Sequence, residues 1–227
     1  MSEVGPPLVS VIMAAYNSAE HIGEALESAL AQDWHPFEVV VVDDGSTDRT
    51  AEIVHSFDVR YVRQENAGPA AARNRAIREA RGALIANFDS DDILPSSRLR
   101  VQAEYLLEHP DVGCVFGRQE WLNAPPWLTR DPVYGELDGI PLSSAMFRRE
   151  VLDVLGGYDS RFEPSEDMDL VIRMREQGID YVVLPDLVLY RRYHESSLTG
   201  GQPPTTPLLR SLRAKLERDQ IRGDAEP

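Results

Sequence analysis

Short apolar runs alternate with helical patterns through about the first half of the chain, and this alternation limits the fold more than any other feature. Val9-Ser10-Val11-Ile12-Met13-Ala14-Ala15 is short and rich in β-branched residues, so it reads as a strand. Residues 37–42 are apolar almost throughout, as expected where both faces of a parallel sheet are covered. Residues 59–62, 83–88 and 112–116 give three more strands. Ile22, Ala25, Leu26, Ala29 and Leu30 form one face of an intervening helix. Asn17 is its candidate N-cap, with Glu20 three residues later approximating a capping box. A short helix is expected over 48–56. Gly68-Pro69 opens another that runs to about Arg81 and stops at Gly82. A further helix covers 95–108. The order predicts an α/β fold: a mostly parallel, doubly wound, Rossmann-like sheet with helices on both faces. Ligands bind such sheets at the carboxyl ends of the strands.

The second half is less regular. Residues 121–141 hold four prolines and two tryptophans and read as loop with short strands. A short helix is expected over 149–155, ended by Gly156-Gly157. Another is expected over 167–177, ended by Gly178, with strands over 181–184 and 188–193. Residues 200–207 read as a linker. The expected organisation is a ligand-binding half over 1–115, a second half of the same domain over 116–200, and a linker with a terminal helix over 201–227.

Composition excludes several classes. At 227 residues the chain suits one large α/β domain or two small ones. The net charge of −15 argues against non-specific nucleic-acid binding. The single cysteine, Cys114, sits in an apolar run and reads as core. The N-terminus carries no signal-peptide pattern, and no apolar run approaches a membrane span. A cytoplasmic protein is expected. Leu209, Leu212 and Leu216 recur at helical spacing within 207–222, which has five basic and two acidic residues. Such a helix either docks on the acidic body, the preferred reading, or touches an anionic membrane surface on the cytoplasmic face.

The chemistry concentrates at strand ends. Asp89-Ser90-Asp91-Asp92 follows the fourth apolar run. Three carboxylates there repel one another and resist desolvation. A hard cation such as Mg²⁺ or Mn²⁺, shared with a phosphorylated ligand, would remove the conflict. The plainer alternative is a solvated acidic loop or a helix cap. The first strand delivers Ala14, Ala15, Tyr16 and Asn17 to the same edge, and the second delivers Asp43-Asp44-Gly45-Ser46. An aromatic, a carboxylate and a metal site side by side suit a nucleotide. Tyr16 would cover a base and Asp43 or Asp44 would accept its imino hydrogen. Turn chemistry is the alternative for Asp43-Asp44-Gly45-Ser46.

With these motifs in order, the chain resembles the family-2 glycosyltransferases of GT-A fold. The resemblance rests on Val9 to Asn17, Val40-Val41-Val42-Asp43-Asp44-Gly45-Ser46-Thr47-Asp48, Asn66-Ala67-Gly68 with Ala72-Arg73-Asn74, and Phe88-Asp89-Ser90-Asp91-Asp92. It continues through Gly156-Gly157-Tyr158-Asp159, Ser165-Glu166-Asp167 and Tyr190-Arg191-Arg192-Tyr193-His194. It implies sugar transfer from a nucleoside-diphosphate sugar, with UDP the leading nucleotide, to a saccharide, lipid-linked or small-molecule acceptor, assisted by Mn²⁺ or Mg²⁺. Residue by residue, it implies Ala14, Tyr16 and Asp44 around the base and Asp89 at the ribose or diphosphate. Arg73 joins the donor contacts. Asp91 is the implied metal ligand, with Asp92 able to share that role and His194 at the metal or diphosphate. Arg191 or Arg192 would neutralise phosphate. Asp167 is the implied general base of an inverting displacement, with Glu166 as its fallback.

Other readings predict different residues. A haloacid-type phosphatase places its nucleophilic aspartate after an early strand, not the fourth. A non-catalytic nucleotide-binding module has no need of Asp167 or His194. An EF-hand loop fails for want of its glycine and terminal glutamate. Physically, Asp167 at a helix start could be a cap, whose low pKa would make it a poor base. Trp121, Trp127 and Tyr134 either border the acceptor site or pack the lid over it.

Overall fold

A computed structural model of the chain describes residues 5–123, 142–162 and 166–193. The strands are β1 (Val9–Ala15), β2 (Phe37–Asp43), β3 (Arg60–Arg63), β4 (Leu84–Asp89), β5 (Val112–Trp121), β6 (Met146–Arg148) and β7 (Asp180–Arg191). The helices are α1 (Ile22–Leu30), α2 (Thr50–Val54), α3 (Pro69–Glu79), α4 (Arg98–Glu108), α5 (Arg149–Leu155) and α6 (Glu166–Glu176). The strands form one sheet in the order β3-β2-β1-β4-β6-β5-β7. All pairings are parallel except those of β6, which runs antiparallel to β4 and β5. The doubly wound, mostly parallel α/β expectation therefore holds.

Alternation along β1 explains the two layers. Val9, Val11, Met13 and Ala15 face one side, where they meet Ile22, Leu26, Val54, Leu99 and Leu106 of α1, α2 and α4. Ile12 faces the other side, with Val40 and Val42 of β2, and meets α3, α5 and α6 through Ala72, Ala76, Leu152 and Leu170. Each fully buried Leu or Ile contributes about 1.5–3 kcal/mol, so the near-continuous apolar strands are what hold helices on both faces. Cys114 lies in this core and burial pushes its thiol up.

Several local expectations are revised. Asn17 does not cap α1, whose N-cap position is His21 without a side-chain bond. Asp48, one residue before the N-cap position of α2, accepts the Thr50 N–H at 2.9 Å. Gly82 does not end α3, which stops at Glu79. A Cβ on Gly82 would lie 2.6 Å from the Ser10 nitrogen, so the glycine permits the close approach of the chain to β1. The two expected strands after α6 are one, β7, with its register to β5 slipping between Leu184 and Leu187. That pairing also extends β5 to Trp121, beyond the expected 112–116. The three residues of β6 are too short to show a period and had no counterpart in the expected elements. Most of 121–141, the linker and the terminal amphipathic helix lie outside the described residues, as do Trp127, Tyr134, Ser165 and His194. Among the described residues no helix is long and apolar enough to cross a membrane.

Candidate active site

The register of β1 places Ala14 opposite Asp89 and Ala15 opposite Asp43, so three strand ends meet at one edge. Tyr16 follows, 53% exposed and free to cover a planar ligand. Asn17 adopts a φ of +48°, which asparagine tolerates. Its Oδ1 accepts the Thr47 N–H at 2.8 Å, and its own N–H donates to Ser46 Oγ at 2.9 Å. Asn17 thus ties the loop after β1 to the loop after β2.

The two aspartates at the end of β2 are enclosed, and each accepts at least two hydrogen bonds. Asp43 accepts the Ser46 N–H at 2.7 Å and the Tyr61 hydroxyl at 2.6 Å, with Arg63 at 3.5 Å. Burial alone would raise its pKa, but these donors and the Arg63 charge hold the carboxyl below the ordinary range. Asp44 accepts Gln64 Nε2 at 2.7 Å and the N–H groups of Ala67 and Gly68 at 2.9 and 2.8 Å. It therefore fixes the turn that opens α3.

The acidic loop after β4 differs. Asp89 accepts Arg73 at 3.0 Å and is otherwise partly open. Asp92 is buried, with the Arg192 N–H donating to it at 2.8 Å. Burial, then the charges of Asp91 and Asp89, push its carboxyl well above the ordinary range, against the pull of the Arg192 N–H and of Arg191. The loop is moored to β7 by reciprocal backbone bonds between Ile93 and Tyr190, at 3.0 and 2.9 Å. Arg192 turns its guanidinium to the Asp91 carbonyl, at 2.9 Å, and to Glu24, at 2.6 Å. Arg191 lies over the Trp121 ring at 4.9 Å. Of the two arginines, Arg191 is thus the one whose charge reaches Asp92 and Asp167. Among the described residues no three His, Cys, Asp or Glu side chains converge as a complete metal cage.

The Glu166-Asp167 pair is joined to the Asp89 strand end through Arg73. Helix α6 begins at Glu166, one residue earlier than expected, so Asp167 lies inside the first turn and is not its cap. Glu166 is buried and accepts Arg73 at 2.8 Å through Oε1, while its Oε2 is buried without a hydrogen-bond partner. Asp167 has one buried oxygen, Oδ1, that accepts no hydrogen bond and stands 4.0 Å from Arg73, yet 46% of its side chain meets solvent. Desolvation raises its pKa, Arg73 and Arg191 oppose this, and Glu166 and Asp89 reinforce it. The balance pushes Asp167 up to about 7. A low-pKa cap is therefore not what this carboxyl is.

These observations have a counterpart among known proteins. The family model for glycosyl transferase family 2 matches residues 10–156. The chain belongs to glycosyl transferase family 2. The matched span contains the ends of β1 to β6, and β7 and α6 lie beyond it. Among its family relatives, the succinoglycan biosynthesis protein ExoO of Rhizobium meliloti (strain 1021) is 39% identical over 156 residues, 63% of this chain and 44% of that protein. The chondroitin synthase of Pasteurella multocida (strain Pm70) is 29% identical over 185 residues, 76% of this chain. This family 2 chain spans only 19% of that synthase's length. The crystal structure of S. aureus TarS 1–349 in complex with UDP-GlcNAc superposes with a TM-score of 0.71 at 25% identity, covering 86% of this chain and 61% of that one. The mannosyltransferase PcManGT of Pyrobaculum calidifontis, in complex with GDP-Man and Mn²⁺, gives 0.64 at 26% identity, covering 87% and 61%. The fold is the GT-A fold of this family.

Three residues of the family 2 site had no role in the expectations. Arg98 of α4 is wholly buried behind the acidic loop and donates to the Asn87 carbonyl at 2.7 Å. Burial pulls it down to about 9, against the charges of Asp92 and Asp89. Its signal was a basic residue on an apolar stripe, four positions before the buried Gln102. Ser18 and Ser90 share a hydrogen bond of 2.8 Å that joins the loops after β1 and β4. Nothing in a pattern of periods marks that pair.

Proposed function

We propose that this chain transfers a sugar from a nucleoside-diphosphate sugar to an acceptor hydroxyl, by a single inverting displacement. The observation that carries the reading is the meeting of four elements at one sheet edge: Tyr16, the Asp44 turn, the acidic loop 89–92 and the Glu166-Asp167 pair. Tyr16 and Ala14 would bound the base. Asp43 and Asp44, held by internal donors, would shape that wall, with Asp44 lending a remaining lone pair to the imino hydrogen. Asp89 would face the ribose or diphosphate, and Arg191 the phosphate charge. UDP is the leading nucleotide, supported by the TarS complex, with GDP the next candidate.

The residues present fit a divalent cation. Burial and two neighbouring carboxylates push the Asp92 carboxyl well above the ordinary range, and a nearby cation would act in the opposite direction. Asp91 and Asp92 would hold it, with His194 from beyond the described residues. Two carboxylates and a diphosphate are a usual Mg²⁺ or Mn²⁺ set, so no complete protein cage is needed. When bound, the ion would supply Lewis-acid stabilisation of the leaving diphosphate. Asp167, titrating at about 7 and open to solvent on one side, would in its ionised form take the proton of the acceptor hydroxyl. The acceptor is a saccharide, lipid-linked or small-molecule hydroxyl at the Trp121 side of the cleft, and the reaction is assigned to the cytoplasm.

Asp91→Ala is expected to abolish metal-dependent nucleotide binding. Calorimetry with UDP and Mn²⁺ checks this, and unchanged affinity in the variant would overturn the metal assignment.

A further inference from the structure

Arg73 touches three other stretches of the family pattern, through Asp89, Glu166 and Tyr158. Its side chain is nearly buried in α3, and its two terminal nitrogens diverge. Nη2 donates to Asp89 at the end of β4, at 3.0 Å, and Nη1 donates to Glu166 at the start of α6, at 2.8 Å. The guanidinium lies 5.7 Å from the centre of the Tyr158 ring. The next residue, Asn74, makes reciprocal bonds to the Tyr158 backbone at 2.7 and 2.8 Å. A Cβ on Gly157 would fall 2.3 Å from Asn74 Oδ1, so this junction admits only glycine there. An arginine fork can span two carboxylates in this way, whereas a lysine is a point charge.

We infer that Arg73 is a positioning residue: a single guanidinium holds the end of β4 through Asp89 and the start of α6 through Glu166, and so aims Asp167 into the donor cleft. Both branches of the fork face protein carboxylates, so this junction is formed by the protein's own groups. It also gives Arg73 an electrostatic hold on Asp167. The groups facing Asp167 are Arg73 from α3, Glu166 from its own helix, Asp89 from β4, Arg191 from β7 and Tyr158 from the loop after α5. Arg73 and Arg191 are the cations among them, and Arg73 Nη1 is 4.0 Å away. The functional meaning rests on Asp167 being the base, but the coupling itself can be measured without any transfer.

The test is a carboxyl ¹³C NMR titration of Asp167 in the full chain, with Asp167→Asn assigning the signal. Removing a cation at this distance in Arg73→Met should raise the Asp167 midpoint by about 1–3 pH units. Glu166→Gln should lower it, and Arg73→Lys should return it toward the native value. A merely structural arginine would not move the midpoint in opposite directions in the two neutral variants. An unmoved midpoint in Arg73→Met overturns the inference. If that variant does not fold, an unmoved midpoint in Glu166→Gln overturns it instead. Transfer that persists in Asp167→Asn would remove the base assignment while leaving this titration result standing.

Discussion

Asp43 and Asp44 end one strand, and Asp89, Asp91 and Asp92 follow another two places away in the sheet, yet the surroundings of Asp43 and Asp92 push those two carboxyls in opposite directions. After β2, each carboxylate is met by several donors, and Asp43 is held in its charged form. After β4, Asp92 is buried beside two more acids and is driven toward its neutral form. At the start of α6, Glu166 and Asp167 each keep one buried oxygen without a hydrogen bond. Buried polar atoms are normally satisfied. Asp43 and Asp44 are therefore held by the protein's own donors, whereas Glu166 Oε2 and Asp167 Oδ1 are not.

The sharpest way to break this contrast is to neutralise the base. Asp167→Asn should lower transfer by about 10²–10⁴-fold, the usual contribution of a general base, while leaving UDP affinity in place. The donor for the assay comes from a thermal-shift screen of nucleotide-sugars with Mn²⁺, since a ligand that binds only the native state raises its apparent stability. Turnover at the native rate would move the base elsewhere, with Glu166 next in line.

The next effect is on stability, and its sign separates the two strand ends. Asp43→Ala leaves the Tyr61 hydroxyl and the Ser46 N–H without an acceptor in a closed site. It should cost about 3 kcal/mol, from the loss of hydrogen bonds to a charged group. Asp91→Ala removes a carboxylate from a crowd of like charges and should stay within about 0.5 kcal/mol of the native chain, or gain. Urea unfolding of the two variants without metal tests the contrast. Equal losses would mean that the acidic loop is as structural as the wall.

How much of this was legible beforehand follows from the range of each interaction. The first five strands and the acidic loop are contiguous in the chain, and a contiguous run shows its period and its charge directly. The resemblance motifs likewise marked Ala72-Arg73-Asn74 and Gly156-Gly157-Tyr158 as stretches, but not that they touch. The bond from Arg73 to Glu166 crosses 93 positions, and no period reports such a meeting. Pro185 and Asp186 interrupt the apolar pattern of β7, which therefore read as two strands although its pairing to β5 resumes after the slip. Asn17 carried the right residue type for a cap, but a competing partner, the Thr47 N–H, took its side chain. Arg192 looked like a phosphate ligand beside Arg191. Its bond to Glu24 spans 168 positions, and no local pattern reports such a meeting.

The smallest expected effect is also the one that reads the two states of carboxylate in a single experiment. Asp43 has a folded-state pKa below its unfolded value of about 3.9, so its stabilisation is present above that value and is lost only as pH falls through the lower one. Asp167 has the reverse shift. Its contribution is fully present below about 3.9 and is lost as pH rises through about 7. Between pH 5 and 8, then, Asp43 should contribute a constant amount while Asp167 contributes a declining one. Comparing melting temperatures of the native chain and Asp167→Asn across that range, without metal or nucleotide, isolates the second term. The variant should gain on the native chain as pH rises. The half-exposed side chain is screened by solvent, which limits the gain to about 2 °C or less. A difference that stays flat from pH 5 to 8 would place Asp167 at an ordinary pKa, and would leave it no better tuned as a base than any surface carboxylate.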